Sequence, residues 1–76
     1  MKIAYMQEDY LKKLGEKINS LRKEKKLTLS ELCYKNGLEP STVSRVEKAQ
    51  VDVKLSTLLK IAIALEISIA DLINFE

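Results

Sequence analysis

Only Leu38 and Glu39 separate Gly37, a residue that accepts the left-handed backbone of a helix end, from Pro40, a residue pre-set for the first position of a helix. The connection is very tight, and both flanking segments carry helix signals. Upstream, in LTLSEL, Thr28 is placed to cap while Glu31, three residues on, reaches back, which makes a capping box. Leu27 and Leu32 stand at the positions of a hydrophobic staple across that cap, and the helix is expected to stop at Asn36-Gly37. Downstream, Leu38 and Val43 would staple a short helix whose inward stripe is Val43 and Val46. Its other face is Ser41, Ser44, Arg45 and Lys48, polar and nearly free of bulk.

Three more helices frame this pair. Leu11, Leu14, Ile18 and Leu21 recur at helical spacing with charged residues between them, so about residues 9–25 form an amphipathic helix. After Ala49-Gln50-Val51-Asp52, the stretch KLSTLLKIAIAL reads as a strongly apolar helix. Its core stripe is expected to be Leu55, Leu58, Leu59, Ala62 and Leu65, with Ile63 outside it. A last helix begins with a second capping box, Ser68 with Asp71, stapled by Ile67 and Leu72. No strand-like alternation or internal repeat is present. The expected fold is all-α, a compact five-helix bundle in one domain over residues 9–76, after a leader of residues 1–8 that either extends the first helix or is flexible.

The inventory narrows the function. With no His and a single Cys among 76 residues, there is no Ser-His-Asp or Cys-His pair and no Cys/His zinc cluster. Cys33, between Leu32 and Tyr34, reads as a small buried apolar side chain. No glycine-rich phosphate loop is present either, so the chain is expected not to be an enzyme and to need no metal or cofactor. No apolar run approaches the roughly 20 residues that span a bilayer. The opening MKIAYMQEDY lacks the apolar stretch of a signal peptide, so the expected location is the cytoplasm. Residues 1–26 hold eight basic and four acidic side chains, and residues 51–76 hold two and four. That asymmetry suits a module with one face toward a polyanion, and it equally suits solvated helix faces.

A helix, a glycine-containing turn and a second helix make the helix-turn-helix unit, here over residues 28–48, whose second helix enters the major groove. The runs LGEKINSLRKEKKLTLSEL, NGLEPSTVSRVEK and LSTLLKIAIALEISIADLI together resemble the phage repressor/Cro-like regulators, the Cro/C1-type or xenobiotic-response-element (XRE) family, over residues 14–73 with all five helices in order. The resemblance implies a lambda-repressor-like domain that binds double-stranded DNA and regulates transcription, most simply as a repressor. It implies a buried ion pair between Arg22 and Glu47 tying the first helix to the third. It places Pro40, Ser41, Ser44 and Arg45 toward bases. Arg45 suits guanine O6 and N7; its alternative role is a phosphate contact or a solvent-facing charge. Thr42, Lys48, Gln50 and Lys54 match phosphate-contacting positions, as does the start of the second helix at Thr28, Leu29 and Ser30.

The chain departs from the family pattern at several places. Leu29 stands where Gln is frequent, and Asn36 replaces a Leu, with Tyr34 nearby to compensate. Lys26, Ala49 and Glu66 stand where Gly is common at helix ends, and each would cost about 1 kcal/mol in a left-handed conformation. Glu39 suits the dipole of the third helix but repels phosphate. Family members commonly bind as two-fold dimers on palindromes, with half-sites roughly 34–36 Å apart. The implied dimer surface is Ile63, Ile67, Ile69, Ile73 and Phe75; the alternative is that Ile69, Leu72 and Ile73 close the monomer core. No small-molecule ligand is expected. The rival functions are an antitoxin-like module that binds a protein partner and uses DNA only for autoregulation, and a helical bundle that has lost DNA binding, the latter motivated by Leu29 and Glu39.

Overall fold

The computed structural model describes residues 7–34 and 36–75. Among the described residues five helices follow one another: α1 Gln7–Glu24, α2 Leu29–Cys33, α3 Pro40–Glu47, α4 Leu55–Leu65 and α5 Ile69–Leu72. There is no strand among the described residues. The expected leader lies outside them as far as residue 6, and α1 begins two residues earlier than the apolar spacing implied.

The core is assembled from one stripe of each helix. Leu14 and Ile18 of α1, Leu32 and Cys33 of α2, Val43 and Val46 of α3, Ile61, Ala62 and Leu65 of α4, and Leu72 of α5 are all buried. Leu11 is half-buried, and Leu21, Leu27, Leu29, Leu38 and Leu58 pack partly around that centre. The expected stripe of α4 needs correction. Leu55 is 66% exposed and Leu59 42%, while Ile61, omitted from the stripe, is fully buried. Because α4 is apolar on nearly every side, its spacing admits two stripes, and only the neighbouring helices choose between them. Ile63 is 70% exposed, as expected.

The helix ends follow local chemistry. The capping box of α2 is complete: Thr28 Oγ1 accepts from Glu31 N at 3.1 Å, and Thr28 N donates to Glu31 Oε1 at 2.7 Å. At α5 only the forward half forms, with Ser68 Oγ accepting from Asp71 N at 3.0 Å. Helix α2 ends at Cys33, three residues before the expected stop. Asn36 causes this, since its Nδ2 donates to the carbonyls of Leu32 and Tyr34 and supplies an alternative to helical bonding. Gly37 does take the left-handed conformation, but in the turn beyond the helix. Tyr34 is 71% exposed and does not fill the place of the missing Leu.

Lys26, Ala49 and Glu66 are all left-handed, with φ of 59°, 57° and 62°. Each centres the same turn. At α3, Ala49 N donates to Val46 O and Gln50 N to Arg45 O; the ends of α1 and α4 repeat the pattern. These are Schellman motifs built without glycine. Gly15 serves a different need. A Cβ on it would lie 2.5 Å from the carbonyl oxygen of Glu47 and 2.6 Å from that of Val46, so the backbones of α1 and α3 meet only because that side chain is missing.

Two substitutions test this account by thermal or urea denaturation. Gly15→Ala is expected to destabilise the fold by about 1–3 kcal/mol, because backbone rather than a flexible side chain must give way. Ala49→Gly is expected to raise stability by up to about 1 kcal/mol, because it relieves a left-handed residue and removes only one partly buried methyl.

Candidate nucleic-acid interface

Helix α3 presents two unlike faces. Val43 and Val46 are buried beneath it, while Pro40, Ser41 and Arg45 are exposed and Ser44 is partly so. Pro40 occupies the first helical turn, where its missing N–H costs nothing. The four side chains expected to face bases therefore share one outward side of a short helix whose other side is locked into the core.

What holds α3 in place is the carboxylate of Glu47 at its last residue. Arg22 Nε donates to Glu47 Oε2 at 2.8 Å, Arg22 Nη2 to Oε1 at 3.1 Å, and Asn19 Nδ2 to Oε1 at 2.9 Å. The Arg22 and Glu47 side chains are only 12% and 8% exposed. The guanidinium also donates through Nη1 to the carbonyl of Leu27 at 2.8 Å, so the same cation fixes the lead-in to α2. Burial pulls the Glu47 carboxyl upward, but the bonds from Arg22 and Asn19, with the charges of Arg22 and Lys23, outweigh it and hold its pKa below the usual range. The hydrogen bond to Glu47 raises the pKa of Arg22. Cys33 is inert by position, buried, its thiol pushed up by desolvation.

The expected phosphate-contacting residues surround this helix. Lys48 and Gln50 are exposed at its C-terminal end, and Thr42 and Lys54 share one surface depression with Asp52, Val53 and Thr57. Thr28 is largely committed to its capping box, which leaves its hydroxyl proton as its spare donor. The Leu29 side chain packs on the core, so that residue has only its N–H to offer. The expected dimer residues divide. Ile63 and Ile73 are exposed, at 70% and 49%, whereas Ile67, Ile69 and Phe75 pack partly against the core. Leu72, from the alternative reading, is fully buried. The resemblance and periodicity missed Lys17, whose Nζ donates to the carbonyls of Asp71 and Asn74 and so fastens the end of α5 to α1. No local signal could have found it, since the partners are more than fifty residues apart in sequence.

Residues 17–76 match the model of the Cro/C1-type HTH DNA-binding domain. The chain belongs to that family. It is 36% identical over 62 residues to the HTH-type transcriptional regulator SinR of Bacillus licheniformis, covering 80% of this chain and 56% of that protein. It is 35% identical over 63 residues to the immunity repressor protein of Bacillus phage phi105, covering 83% of this chain and 44% of that one. The chain thus spans about half the length of these curated relatives. Among solved structures it resembles the restriction-modification controller protein C.AhdI of Aeromonas hydrophila, with a TM-score of 0.78, 39% identity and coverage of 82% and 94%. It also resembles C.Esp1396I, a controller solved as a tetramer on its natural 35 base-pair operator, with a TM-score of 0.73, 27% identity and coverage of 84% and 93%. No helix among the described residues of this Cro/C1-type chain is long and apolar enough to cross a membrane.

The ion pair has a pH signature. Because the folded-state pKa of Glu47 lies below its unfolded value, the stability it contributes is present above the usual carboxylate pKa and is lost as pH falls through the lower, folded value. Glu47→Gln is expected to flatten this acid-side loss in denaturation midpoints measured from pH 6 to pH 2. At pH 7 it should cost about 3–5 kcal/mol, since it leaves Arg22 charged and nearly buried.

Proposed function

We propose that the chain is a sequence-specific regulator of transcription that binds double-stranded DNA as a homodimer on a two-fold symmetric operator in the cytoplasm, repressing by occupancy. Residues 9–76 form its DNA-binding unit, with the helix-turn-helix over residues 28–48. The observation that carries this reading is the outward face of α3: Pro40, Ser41, Ser44 and Arg45 on a helix anchored from behind by Val43, Val46 and Glu47. Such a helix enters the major groove without bulk, and Arg45 is the side chain able to bond bidentately to guanine. Lys48, Gln50, Lys54, Thr42 and the start of α2 at Thr28, Leu29 and Ser30 set its register on the phosphates. Ile63 and Ile73 lead the dimer surface, with Ile67, Ile69 and Phe75 behind them.

One observation favours a second reading. Leu55, Leu59 and Ile63 are exposed at four-residue intervals along α4, an apolar stripe suited to a protein partner of the antitoxin type. The mass in solution separates the two: a clean dimer supports the regulator, and a species that is dispersed until a partner is added supports the module.

Selection of bound sequences from a randomised duplex library at physiological salt is the primary test. A two-fold symmetric motif containing guanine is expected, with Arg45→Ala losing about 1–3 kcal/mol of discrimination at that guanine alone. Affinity should fall with salt at a slope of roughly −0.9 per neutralised phosphate. A flat salt response and no enriched sequence would remove the DNA-binding reading. Ile73→Asp is expected to yield monomers and to weaken operator binding while leaving the helical signal unchanged.

A further inference from the structure

Among the described residues the N-caps of α2, α3, α4 and α5 divide into two kinds. Thr28 and Ser68 cap α2 and α5 with their own side chains. Glu39 and Lys54, at the same position of α3 and α4, make no side-chain cap bond. A short Ser, Thr, Asp or Asn oxygen reaches the free N–H groups of the first turn; Glu and Lys are poor choices there. Both uncapped starts belong to the proposed DNA interface. Glu39 directly precedes Pro40 and Ser41, and Lys54 shares its depression with Thr42. Local rules of helix design are most often broken where a residue serves another purpose. For Lys54 a phosphate is that purpose. For Glu39 it cannot be, since like charges repel.

We infer that Glu39 reads cytosine: its carboxylate accepts a hydrogen bond from the exocyclic N4 amine of a cytosine at the N-terminal end of α3 in the major groove. The inference rests on the DNA-binding reading above. Residues at the start of a recognition helix meet base edges, and Glu39 stands there in extended conformation (φ −99°, ψ 129°), exposed to solvent. An ionised carboxylate only accepts. The major groove offers it two donors, the N4 amine of cytosine and the N6 amine of adenine. Adenine sets its N7 acceptor beside that amine, against the second carboxylate oxygen, whereas cytosine has no such neighbour. Guanine and thymine present only acceptors there, so a carboxylate excludes them. The charge also suits the positive end of the α3 dipole, but that role alone predicts no preference for any base.

The randomised-library selection is repeated with Glu39→Ala and Glu39→Gln, both checked for unchanged helical content, and the wild-type optimum is then measured with each base pair substituted in turn. The wild type is expected to require cytosine at one position of each half-site, with roughly ten-fold or greater loss on replacing it. Glu39→Ala should be indifferent at that position and unchanged at the others, and Glu39→Gln should move the preference to adenine, which Gln meets bidentately. An unchanged motif from Glu39→Ala, or a uniform gain in affinity for every sequence, overturns the inference while leaving the DNA-binding reading intact. No motif from the wild type overturns both.

Discussion

The carboxylate of Glu47 is the junction on which the arrangement depends. It takes three donated hydrogen bonds from Arg22 and Asn19, and Arg22 spends a further donor on the carbonyl of Leu27. Helix α3 is therefore fixed against α1 in orientation as well as in distance, and the same cation holds the lead-in to α2. Apolar burial is non-directional and would allow α3 to slide or roll on Val43 and Val46. A charge-assisted bond with two defined oxygens does not. The same face of α1 carries Gly15, one turn before Asn19, where the absence of a Cβ lets the carbonyls of Val46 and Glu47 approach. Positions 15, 19 and 22 thus form a contact stripe beside the apolar one, with spacing that keeps them on one side of the helix.

Anchoring α3 at its last residue has a consequence for its first. The C-terminal end is held by Glu47, by the Schellman turn around Ala49 and by Val46, so the exposed side chains of Pro40, Ser41 and Arg45 take no part in anchoring the helix. Helix α1 also holds α5, through Lys17 and the Asp71 and Asn74 carbonyls, and the Tyr10 and Phe75 rings lie 6.2 Å apart between the same two ends of chain. One long helix is accordingly the common reference for the outward face of α3 and for the apolar surface around Ile73. On the dimer reading proposed above, the spacing between operator half-sites would be set by these packed helices.

Most of this was legible in the sequence, for identifiable reasons. Thr28 with Glu31 is a local pattern, and a local pattern needs only local bonds to be realised. The pairing of Arg22 with Glu47 and the left-handed state of Lys26, Ala49 and Glu66 came from family resemblance, since nothing in their neighbours dictates them. What escaped was set by packing between elements. Gly15 in an amphipathic helix looks like a weak helix former until the backbone of α3 is placed against it. Leu55 and Leu59 looked like core because α4 is apolar all round, and only the positions of its neighbours select Ile61 instead. The early end of α2 turned on Asn36, whose side chain competes with the backbone in a way that composition does not weigh.

The left-handed Lys26, Ala49 and Glu66 and the exposed apolar side chains bear on each other through stability. A chain of this size buries about 60% of the surface its unfolded form exposes, and domains of this kind hold about 5–15 kcal/mol in reserve. Strain of about 1 kcal/mol at each of Lys26, Ala49 and Glu66 is already contained in that net figure and is sizeable beside its lower end. Ile63 and Ile73, at the proposed dimer surface, meanwhile leave apolar area in water. On the dimer reading, association stabilises the folded chain by mass action, and so does the operator. Folding, pairing and DNA occupancy then share one concentration dependence. A small loss of chain concentration lowers the dimer population and the folded population together, which makes release from the operator steeper than a stable monomeric domain would allow.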